Sequence, residues 1–232
     1  MSETNNMSRK EFIARRVAGF FKKGDTVNLG VGIPTKCSNY VDEGVWIQAE
    51  NGLMGVGEVA TESQGVRKVE SFCNAAGEEV IPVKGACTFD VCMSFAMMRS
   101  GRIDASVLGC LQVAGNGDLA NWAMPGKHPG MGGAMDIVSG VRTVIVATTH
   151  CAKDGSPKIV EKCSYPLTGL GVVDYIVTEY CVMHIKDGKM YLKEIRDNIS
   201  VDELRNITAC DFIIAPDLKP MELGDYGPEK RP

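Results

Sequence analysis

Glu50 is the residue of this sequence whose type and position could most directly do chemistry. The apolar residues 45–49 lead up to this single carboxylate, and a glycine-rich stretch, residues 51–57, follows it. The pattern predicts a strand that ends in a glycine-rich turn. In open α/β sheets ligands bind at the carboxyl ends of strands, where a carboxylate can be general base, metal ligand or nucleophile, and nearby glycines would let a substrate approach. The alternative is a solvated loop glutamate beside an ordinary Asn-Gly turn.

Two other glycine-rich segments could bind an anion through backbone N–H groups. Gly30 and Gly32 lie between a short apolar strand and Pro34, a residue that favours the first turn of a helix. Such a nest can accept a carboxylate or thioester oxygen, although a tight turn without a ligand explains the pattern equally well. Residues 130–133, Gly-Met-Gly-Gly, expose backbone N–H groups as an oxyanion hole does. The alternative for residues 130–133 is a flexible hinge.

The cysteines and histidines indicate no metal site. The chain has nine cysteines, an odd number without a Cys-x-x-Cys pair, which argues against a disulfide framework and a zinc site. We therefore expect free thiols, and four of them, in apolar segments, are expected to be small core residues: Cys92, Cys110, Cys181 and Cys210. His150-Cys151 is the one adjacent pair of metal-ligand type, and no second pair at ligand spacing accompanies it.

The composition favours one domain over residues 1–232, with frayed ends at 1–7 and 224–232. The net charge is −4, and the basic residues are scattered. This charge pattern argues against nucleic acid or an anionic membrane as a partner. The first seven residues are polar, and no apolar run approaches the roughly 18 residues of a membrane span, so we expect a cytoplasmic protein without a signal peptide.

The order of the predicted elements indicates an α/β domain. The capping box Ser8-x-x-Glu11 begins an amphipathic helix that we expect to reach Lys23. Strands and helices then alternate, which predicts an open, mainly parallel sheet flanked by helices. Residues 186–189, Lys-Asp-Gly-Lys, predict a C-terminal hairpin. Residues 119–134 are predicted to be loop because they are rich in Gly, Pro and Asn.

Residues 50–57, Glu-Asn-Gly-Leu-Met-Gly-Val-Gly, resemble the signature of the class I CoA-transferases, specifically the β subunit of the 3-oxoacid (acetoacetate) type. Further segments resemble this family in the same order along the chain: 28–34, 94–99, 119–127, 130–136, 163–169 and 208–212. Together these segments span about residues 10–221, nearly the whole chain. The resemblance implies the fold of that family, which is shared by analogy with the sugar-phosphate isomerases.

The resemblance implies a ping-pong transfer of CoA between two carboxylic acids through a glutamyl-CoA thioester at Glu50. A glutamate with a pKa of about 4.3 is already ionised at neutral pH, so no general base is needed and the three histidines need no catalytic role. No cofactor is implied, since coenzyme A is a substrate. In the family a backbone amide, here that of Gly133, stabilises the oxyanion of the tetrahedral intermediates.

The resemblance also implies a partner and further contacts. An α subunit supplies a second oxyanion donor, so we expect a hetero-oligomer, α2β2, whose substrates are acyl-CoA and short-chain carboxylates, with acetoacetate exchanging with acetyl-CoA or butyryl-CoA. The candidate substrate contacts are Asn51 and Asn121 for the acyl group, Lys127 for a carboxylate or phosphate, and Gly30, Gly32 and Gly132. Lys127 could equally be a solvent-exposed loop lysine. Residues 74–78 carry an acid where some relatives carry a lysine.

Two alternative functions remain open. The same scaffold could act as an acyl-CoA thioester hydrolase, in which water intercepts the glutamyl adduct. It could also be a non-catalytic ligand-binding module, since the fold occurs among ligand-sensing domains. A glutamate beside a glycine-rich oxyanion segment argues against the binding module, because a sensor has no use for a nucleophile.

Overall fold

The computed structural model describes residues 7–60, 72–127 and 130–223. Its helices are α1 Arg9–Ala18, α2 Ile33–Lys36, α3 Val91–Arg99, α4 Ala134–Gly140 and α5 Val201–Asn206, and a 3₁₀ turn, Cys37–Asn39, extends α2. Its strands are β1 Thr26–Leu29, β2 Trp46–Ala49, β3 Leu53–Met54, β4 Cys87–Thr88, β5 Ala105–Leu108, β6 Gln112–Ala114, β7 Leu119–Ala120, β8 Val144–Ala147, β9 Ile159–Val160, β10 Tyr175–Val177, β11 Cys181–Lys186, β12 Lys189–Ile195 and β13 Ile213–Pro220.

Ten of these strands form one sheet in the order β13-β12-β11-β10-β8-β5-β1-β2-β3-β4. The central strands β10, β8, β5, β1 and β2 are parallel, whereas β11 and β3 join them antiparallel on either side. The parallel strands therefore have their carboxyl ends at one edge, where ligands bind in open α/β sheets. The strands β7, β6 and β9 form a second, smaller sheet. The predicted fold class, an open and mainly parallel α/β sheet, is confirmed.

The large sheet has an apolar cluster on each face. On one side Phe12 of α1 packs in a cluster with Val27 and Ile47 of the strands. On the other side Met98 of α3 lies in a cluster with Val146. Successive side chains of a strand point to opposite faces, so β8 contributes to both, with Ile145 and Ala147 on one side and Val144 and Val146 on the other. Helix α1 therefore covers one face of the sheet, and α3 with α4 covers the other.

Helix α1 begins at the predicted capping box but ends at Ala18 rather than Lys23. Phe20 and Phe21 donate their backbone N–H groups to carbonyls three residues earlier, so the chain turns there and leaves the helix. Phe21 is nevertheless buried. The apolar spacing therefore continues beyond the helix, because the turn itself packs on the core.

An ion pair fastens α1 to the C-terminal hairpin. Nε and Nη2 of Arg16 donate to the two carboxylate oxygens of Glu194 on β12, at 2.7 and 2.6 Å. Both side chains are largely buried, with exposed fractions of 13% and 6%. The guanidinium also lies 4.7 Å from the ring centroid of Phe20. Removing Glu194 would leave the largely buried guanidinium without its carboxylate, so the pair fixes the position of α1 on the sheet.

Two predictions are wrong in detail. Residues 119–134 are not all loop, since β7 pairs with β6 and residue 134 begins α4. Cys92 is exposed rather than part of the core, whereas Cys37 is buried. The apolar run around Cys92 belongs to the first turn of α3, where Val91 and Met93 are also more than half exposed.

The C-terminal hairpin is confirmed. Asp187 and Gly188 join β11 to β12 with φ of 53° and 67°, the backbone of a type I′ turn. Residues 1–6 and 224–232, which belong to the predicted frayed ends, lie outside the described residues, and the extent of the single domain stays a prediction. None of the described helices is long and apolar enough to cross a membrane.

Candidate active site

Glu50 is the first residue of the three-residue loop that joins β2 to β3. Ala49 and Leu53, on either side of this loop, pair with each other. Its side chain is half-buried. Its Oε2 atom is shielded from solvent and accepts no hydrogen bond from the described residues. Buried polar oxygens are rarely left without a partner. No hydrogen bond to another described residue therefore commits this oxygen of Glu50 to the fold.

The loop behind Glu50 is closed by Gly52. Its N–H donates to the carbonyl of Ala49 at 3.0 Å, and its carbonyl accepts the N–H of Phe89 at 2.9 Å. Gly52 has a φ of 116°, and a Cβ added there would lie 2.1 Å from the carbonyl oxygen of Phe89. Only glycine fits this position. The loop that carries Glu50 is thus held against the segment that begins α3.

Asn51 holds the same loop from another side. Its Nδ2 donates to the carbonyl oxygens of Cys73 and Asn74, at 3.0 and 3.4 Å. Asn74 in turn donates to Glu78 at 2.9 Å. This hydrogen bond holds the carboxylate of Glu78, the acid in the segment where some relatives carry a lysine. The amide nitrogen of Asn51 is therefore committed to the fold, and its oxygen is the atom that a substrate could use.

The glycines that follow serve the packing of the chain itself. A Cβ at Gly57 would lie 2.2 Å from the carbonyl oxygen of Ile81, and one at Gly55 would lie 2.9 Å from the Cβ of Ala86. The expectation that these nearby glycines admit a substrate is therefore wrong, because residues 81–86 of the same chain occupy that space.

The three glycines predicted to contact substrate differ in their surroundings. Gly30 donates its N–H to the carbonyl of Val107 at 2.9 Å and packs closely on β5. Gly32 and Gly132 have φ of 97° and 55°, and no atom lies within 4 Å of a Cβ added at either. The strands β1 and β2 are parallel neighbours, so Gly30 and Glu50 each follow a strand at the same edge of the sheet. Gly32 borders open space beyond the end of β1.

A cleft of about 320 Å³ opens beside the turn between β1 and α2. Its lining includes Gly32, Lys10, Lys36 and Glu78. The two lysines make part of this wall cationic, which favours an anionic ligand.

A buried polar network crosses the sheet directly below Glu50. Ser106 of β5 donates to Oδ1 of Asn28 on β1 at 2.9 Å. Nδ2 of Asn28 donates to Oε1 of Gln48 on β2, also at 2.9 Å, and Nε2 of Gln48 donates to Oγ of Ser94 on α3 at 2.6 Å. All four side chains have an exposed fraction of 0%. The network joins β5, β1 and β2 to helix α3.

Gly133 lies at the N-terminal boundary of α4, with φ of −86° and ψ of 1°. Its carbonyl accepts the N–H of Ile137 at 3.0 Å, and its own N–H is one of those that a helix start leaves without an intrahelical partner. A Cβ at this position would lie 2.4 Å from Cζ of Phe95 on α3. Gly133 is therefore located by close packing against the residue that follows Ser94.

The structure does not bring Asn121 and Lys127 into contact with Glu50 among the described residues. Asn121 follows β7 in the smaller sheet, and its Oδ1 accepts a hydrogen bond from Thr168 at 2.6 Å. Lys127 is exposed and exchanges two backbone hydrogen bonds with Met124 in a tight turn. The roles of both residues as substrate contacts stay a prediction.

The described histidines have structural surroundings. His150 is fully buried, its ring nitrogens 3.2 Å from Thr178 Oγ1 and 2.9 Å from Thr208 Oγ1. Burial lowers the pKa of His150 to about 4, so it is neutral in the folded protein. His184 stacks on Tyr175 with ring centroids 4.5 Å apart, and His128 lies outside the described residues. The described residues hold no cluster of His, Cys, Asp or Glu suited to a metal ion.

Sequence reasoning missed Gln48 and Ser94. The signal was a single strongly polar residue inside each apolar strand, Asn28 in Thr-Val-Asn-Leu and Gln48 in Trp-Ile-Gln-Ala. Buried polar groups need hydrogen-bond partners. Two such residues in neighbouring strands therefore indicated a shared network.

The family model for coenzyme A transferases matches residues 10–206. The chain belongs to the coenzyme A transferase family. The acetate CoA-transferase subunit beta of Escherichia coli (strain K12) is 49% identical over 215 residues, which cover 91% of this chain and 97% of that protein. The human mitochondrial succinyl-CoA:3-ketoacid coenzyme A transferase 2 is 43% identical over 216 residues, which cover 90% of this chain and 41% of that protein.

A solved structure supports the fold of this CoA-transferase. An acyl-CoA transferase from Escherichia coli O157:H7, crystallised as a thioester complex with CoA, superposes with a TM-score of 0.76 over 97% of this chain and 46% of that one. The sequence identity is 20%, so this likeness bears on the fold alone. The predicted family and enzyme class are confirmed.

Proposed function

We propose that this CoA-transferase chain moves CoA between an acyl-CoA and a free short-chain carboxylate, with Glu50 as the nucleophile. The observation that carries the proposal is the Oε2 atom of Glu50, which is shielded from solvent and without a hydrogen-bond partner among the described residues. The atom lies at the carboxyl edge of the parallel strands, on a loop closed by Gly52. A carboxylate that is fixed in position but not bound by the protein can attack a substrate.

The reaction proceeds without a proton transfer. A carboxylate oxygen of Glu50 attacks the thioester carbonyl, the C–S bond breaks, and CoA thiolate leaves to give a mixed anhydride. The thiolate then attacks the glutamyl carbonyl and expels the first carboxylate, which leaves a glutamyl-CoA thioester. An acceptor carboxylate repeats both steps in reverse and regenerates Glu50. A carboxylate is a weak nucleophile toward a thioester, so binding of the remote CoA moiety must favour the reaction.

The backbone N–H of Gly133 is the proposed donor to the oxyanion of each tetrahedral intermediate. Removing such a donor typically reduces the rate by about a hundredfold or more. Support comes from the position of Gly133, which is packed against Phe95 of α3, the helix that contacts the Glu50 strand through Ser94 and Gln48.

The proposed partner is a CoA-transferase α subunit, in an α2β2 assembly. Its support is a set of exposed apolar side chains at the turn after β1 and in the first turns of α3 and α4: Val31, Val91, Met93 and Met135. These side chains belong to the segments that surround the carboxyl edge of the sheet. A partner that covers them would also complete the site with a second oxyanion donor.

Acetoacetate, exchanging with acetyl-CoA or butyryl-CoA, is the proposed substrate pair. The proposed contacts are Oδ1 of Asn51 and the open backbone at Gly32 and Gly132, with Asn121 for the acyl group and Lys127 for a carboxylate or phosphate. Lys10 and Lys36 line the cleft beside Gly32, and their charge favours an anionic substrate. The cytoplasmic location predicted from the sequence stays a prediction.

The test is the intact mass of this chain, assembled with its α subunit and mixed with acetoacetyl-CoA, with and without borohydride. We expect a CoA-sized adduct in the wild type and in Glu43→Gln, and none in Glu50→Gln. Glu43 is an exposed carboxylate shortly before the same strand, so it is the matched control. CoA transfer must also depend on an acceptor acid, because a thioester hydrolase would release product without one. If the complex binds acyl-CoA without forming an adduct, the covalent mechanism at Glu50 is wrong.

A further inference from the structure

We propose that Gln48 is a positioning residue that sets the distance between the nucleophile Glu50 and the oxyanion donor Gly133 through helix α3. The inference rests on the proposed function and extends it to a residue that touches neither substrate nor CoA. The structural basis is a continuous set of contacts from β2 to α3 and from α3 to α4.

The first contact is the hydrogen bond from Nε2 of Gln48 to Oγ of Ser94, at 2.6 Å. Gln48 is simultaneously fixed on its other side, because its Oε1 accepts from Asn28 at 2.9 Å. Asn28 is fixed in turn by Ser106. Because every side chain of this network is buried and hydrogen-bonded, the network holds the Gln48 side chain in one orientation. It also holds helix α3 at a fixed distance from β2.

The second element of the argument is the face on which these groups lie. Ile47 and Ala49 belong to the apolar cluster on the α1 side of the sheet. Gln48 points to the opposite side and contacts α3. Glu50 directly follows this strand, and its loop is joined to the segment that begins α3 by the hydrogen bond from the Phe89 N–H to the Gly52 carbonyl. The strand and the loop that carry the nucleophile are therefore both in direct contact with α3 or the segment that begins it.

The third element is the contact between α3 and α4. Phe95 follows Ser94 in the chain, and its Cζ and Cε1 atoms lie 2.4 and 2.6 Å from where a Cβ of Gly133 would be. The glycine therefore packs directly on the ring. A shift of α3 along β2 moves this ring and, with it, the backbone at Gly133. The start of α3 is also joined to the Glu50 loop by the Phe89–Gly52 hydrogen bond. Helix α3 therefore contacts both the loop of the nucleophile and the backbone at Gly133.

The experiment measures kcat, KM and the rate of glutamyl-CoA formation for the complex with the α subunit. Gln48→Met keeps the volume of the side chain and removes both of its hydrogen bonds, and Ser94→Ala removes the helix partner. Ser94→Thr keeps the hydroxyl and is the conservative rescue. Thr208→Val is the matched control, since Thr208 also has a buried hydroxyl with two hydrogen-bond partners. Thr208 takes no part in the contacts that join β2, α3 and α4.

We expect Gln48→Met and Ser94→Ala to lower kcat and adduct formation about 10- to 100-fold, with KM for acyl-CoA within about threefold of wild type. Ser94→Thr should stay within about threefold of wild type, and so should Thr208→Val, even where its Tm falls. The double variant Gln48→Met/Ser94→Ala separates positioning from stability. With both partners removed, no Gln48 amide is left unpaired opposite position 94, and Nδ2 of Asn28 keeps its bond to the backbone carbonyl of residue 48, so Tm should recover relative to Ser94→Ala while kcat stays low.

The outcomes are distinguishable. If folded Gln48→Met and Ser94→Ala keep kcat within threefold of a wild type that forms the adduct, Gln48 does not position the site. The same conclusion follows if kcat recovers together with Tm in the double variant. If the wild-type complex itself neither transfers CoA nor forms an adduct, the proposed function fails and this inference fails with it.

Discussion

The carbonyl oxygen of Phe89 lies 2.1 Å from the point where a side chain at Gly52 would begin. The two residues are also joined by the hydrogen bond from the Phe89 N–H to the Gly52 carbonyl. The loop that carries Glu50 and the segment that begins α3 therefore touch backbone to backbone. No side-chain adjustment can relieve an added Cβ there.

Gly52→Ala should consequently disable the site as well as destabilise the fold. We expect a loss of about 3 kcal/mol or more in the free energy of unfolding and at least a tenfold loss of adduct formation. Gly24→Ala is the control, because Gly24 has a similar φ of 98° but open space around its Cβ. It should cost about 1–2 kcal/mol and leave activity unchanged. Equal losses in urea titrations of the two variants would show that the contact with Phe89 is unimportant.

Gly133→Ala tests whether activity depends on the backbone position that Gly133 has when it packs against Phe95. The φ of −86° suits alanine, so only the clash with the ring opposes the substitution. We expect kcat to fall about tenfold or more, with KM little changed. Phe95→Leu removes ring atoms from the clash, so the double variant should recover part of kcat. Steady-state kinetics of the three variants test this, and a Gly133→Ala enzyme with wild-type kcat contradicts it.

The stability of the protein should depend on pH through His150. Its pKa is about 4 in the folded state, against an ordinary value of 6.5, so below pH 6.5 the unfolded chain binds a proton that the folded chain does not. The free energy of unfolding should therefore be unaffected by His150 above pH 6.5. It should fall by up to about 3 kcal/mol as the pH falls from 6.5 to 4.

The measurement is chemical denaturation between pH 7.5 and 4.5 for the wild type and His150→Gln. The variant should be less stable at pH 7.5 but lose less stability on acidification. His184, whose pKa burial also lowers, is present in both proteins and cancels in the comparison. Parallel stability curves would contradict the expectation.

The cysteines should react in an order set by exposure. Cys87 and Cys92 are exposed, whereas Cys37 and Cys181 are buried, and burial raises the pKa of Cys181 to about 12. The thiolate is the reactive form. The two buried cysteines should therefore react slowly for two reasons: the reagent cannot reach them, and their thiols stay protonated. We expect iodoacetamide to label Cys87 and Cys92 first in the folded chain, as mass spectrometry of peptides can establish. Early labelling of Cys181 would mean that the core opens readily.

Local patterns predicted a large part of this structure. The capping box at Ser8, the type I′ hairpin at Asp187-Gly188 and the placement of Glu50 after a short strand each depend on residues a few positions apart. The conformation of these turns and caps depends only on residues that are close together in the sequence. For the same reason, the end of α1 was misplaced, since the buried turn at Phe20 and Phe21 continues the helical spacing.

The contacts that fix the candidate site were not predictable in this way. Gln48 and Ser94 are 46 residues apart in the chain, and no pattern within either segment names the other. Gly57 had the appearance of a residue that admits a ligand, but the space beside it is filled by Ile81. A glycine in a sequence shows that something approaches the backbone. Only the fold shows whether that is a substrate or the protein itself.

The ion pair between Arg16 and Glu194 has a consequence for how this chain is made. Its two members are 178 residues apart, so α1 leaves the ribosome long before its partner on β12 exists. Until then the apolar face of α1 can pack on Val27 and Ile47, but the guanidinium of Arg16 lies against that core without its carboxylate. The first helix to be synthesised thus obtains its last contact from one of the last strands, and a nascent chain that stops before the hairpin should be a target for chaperones and proteases.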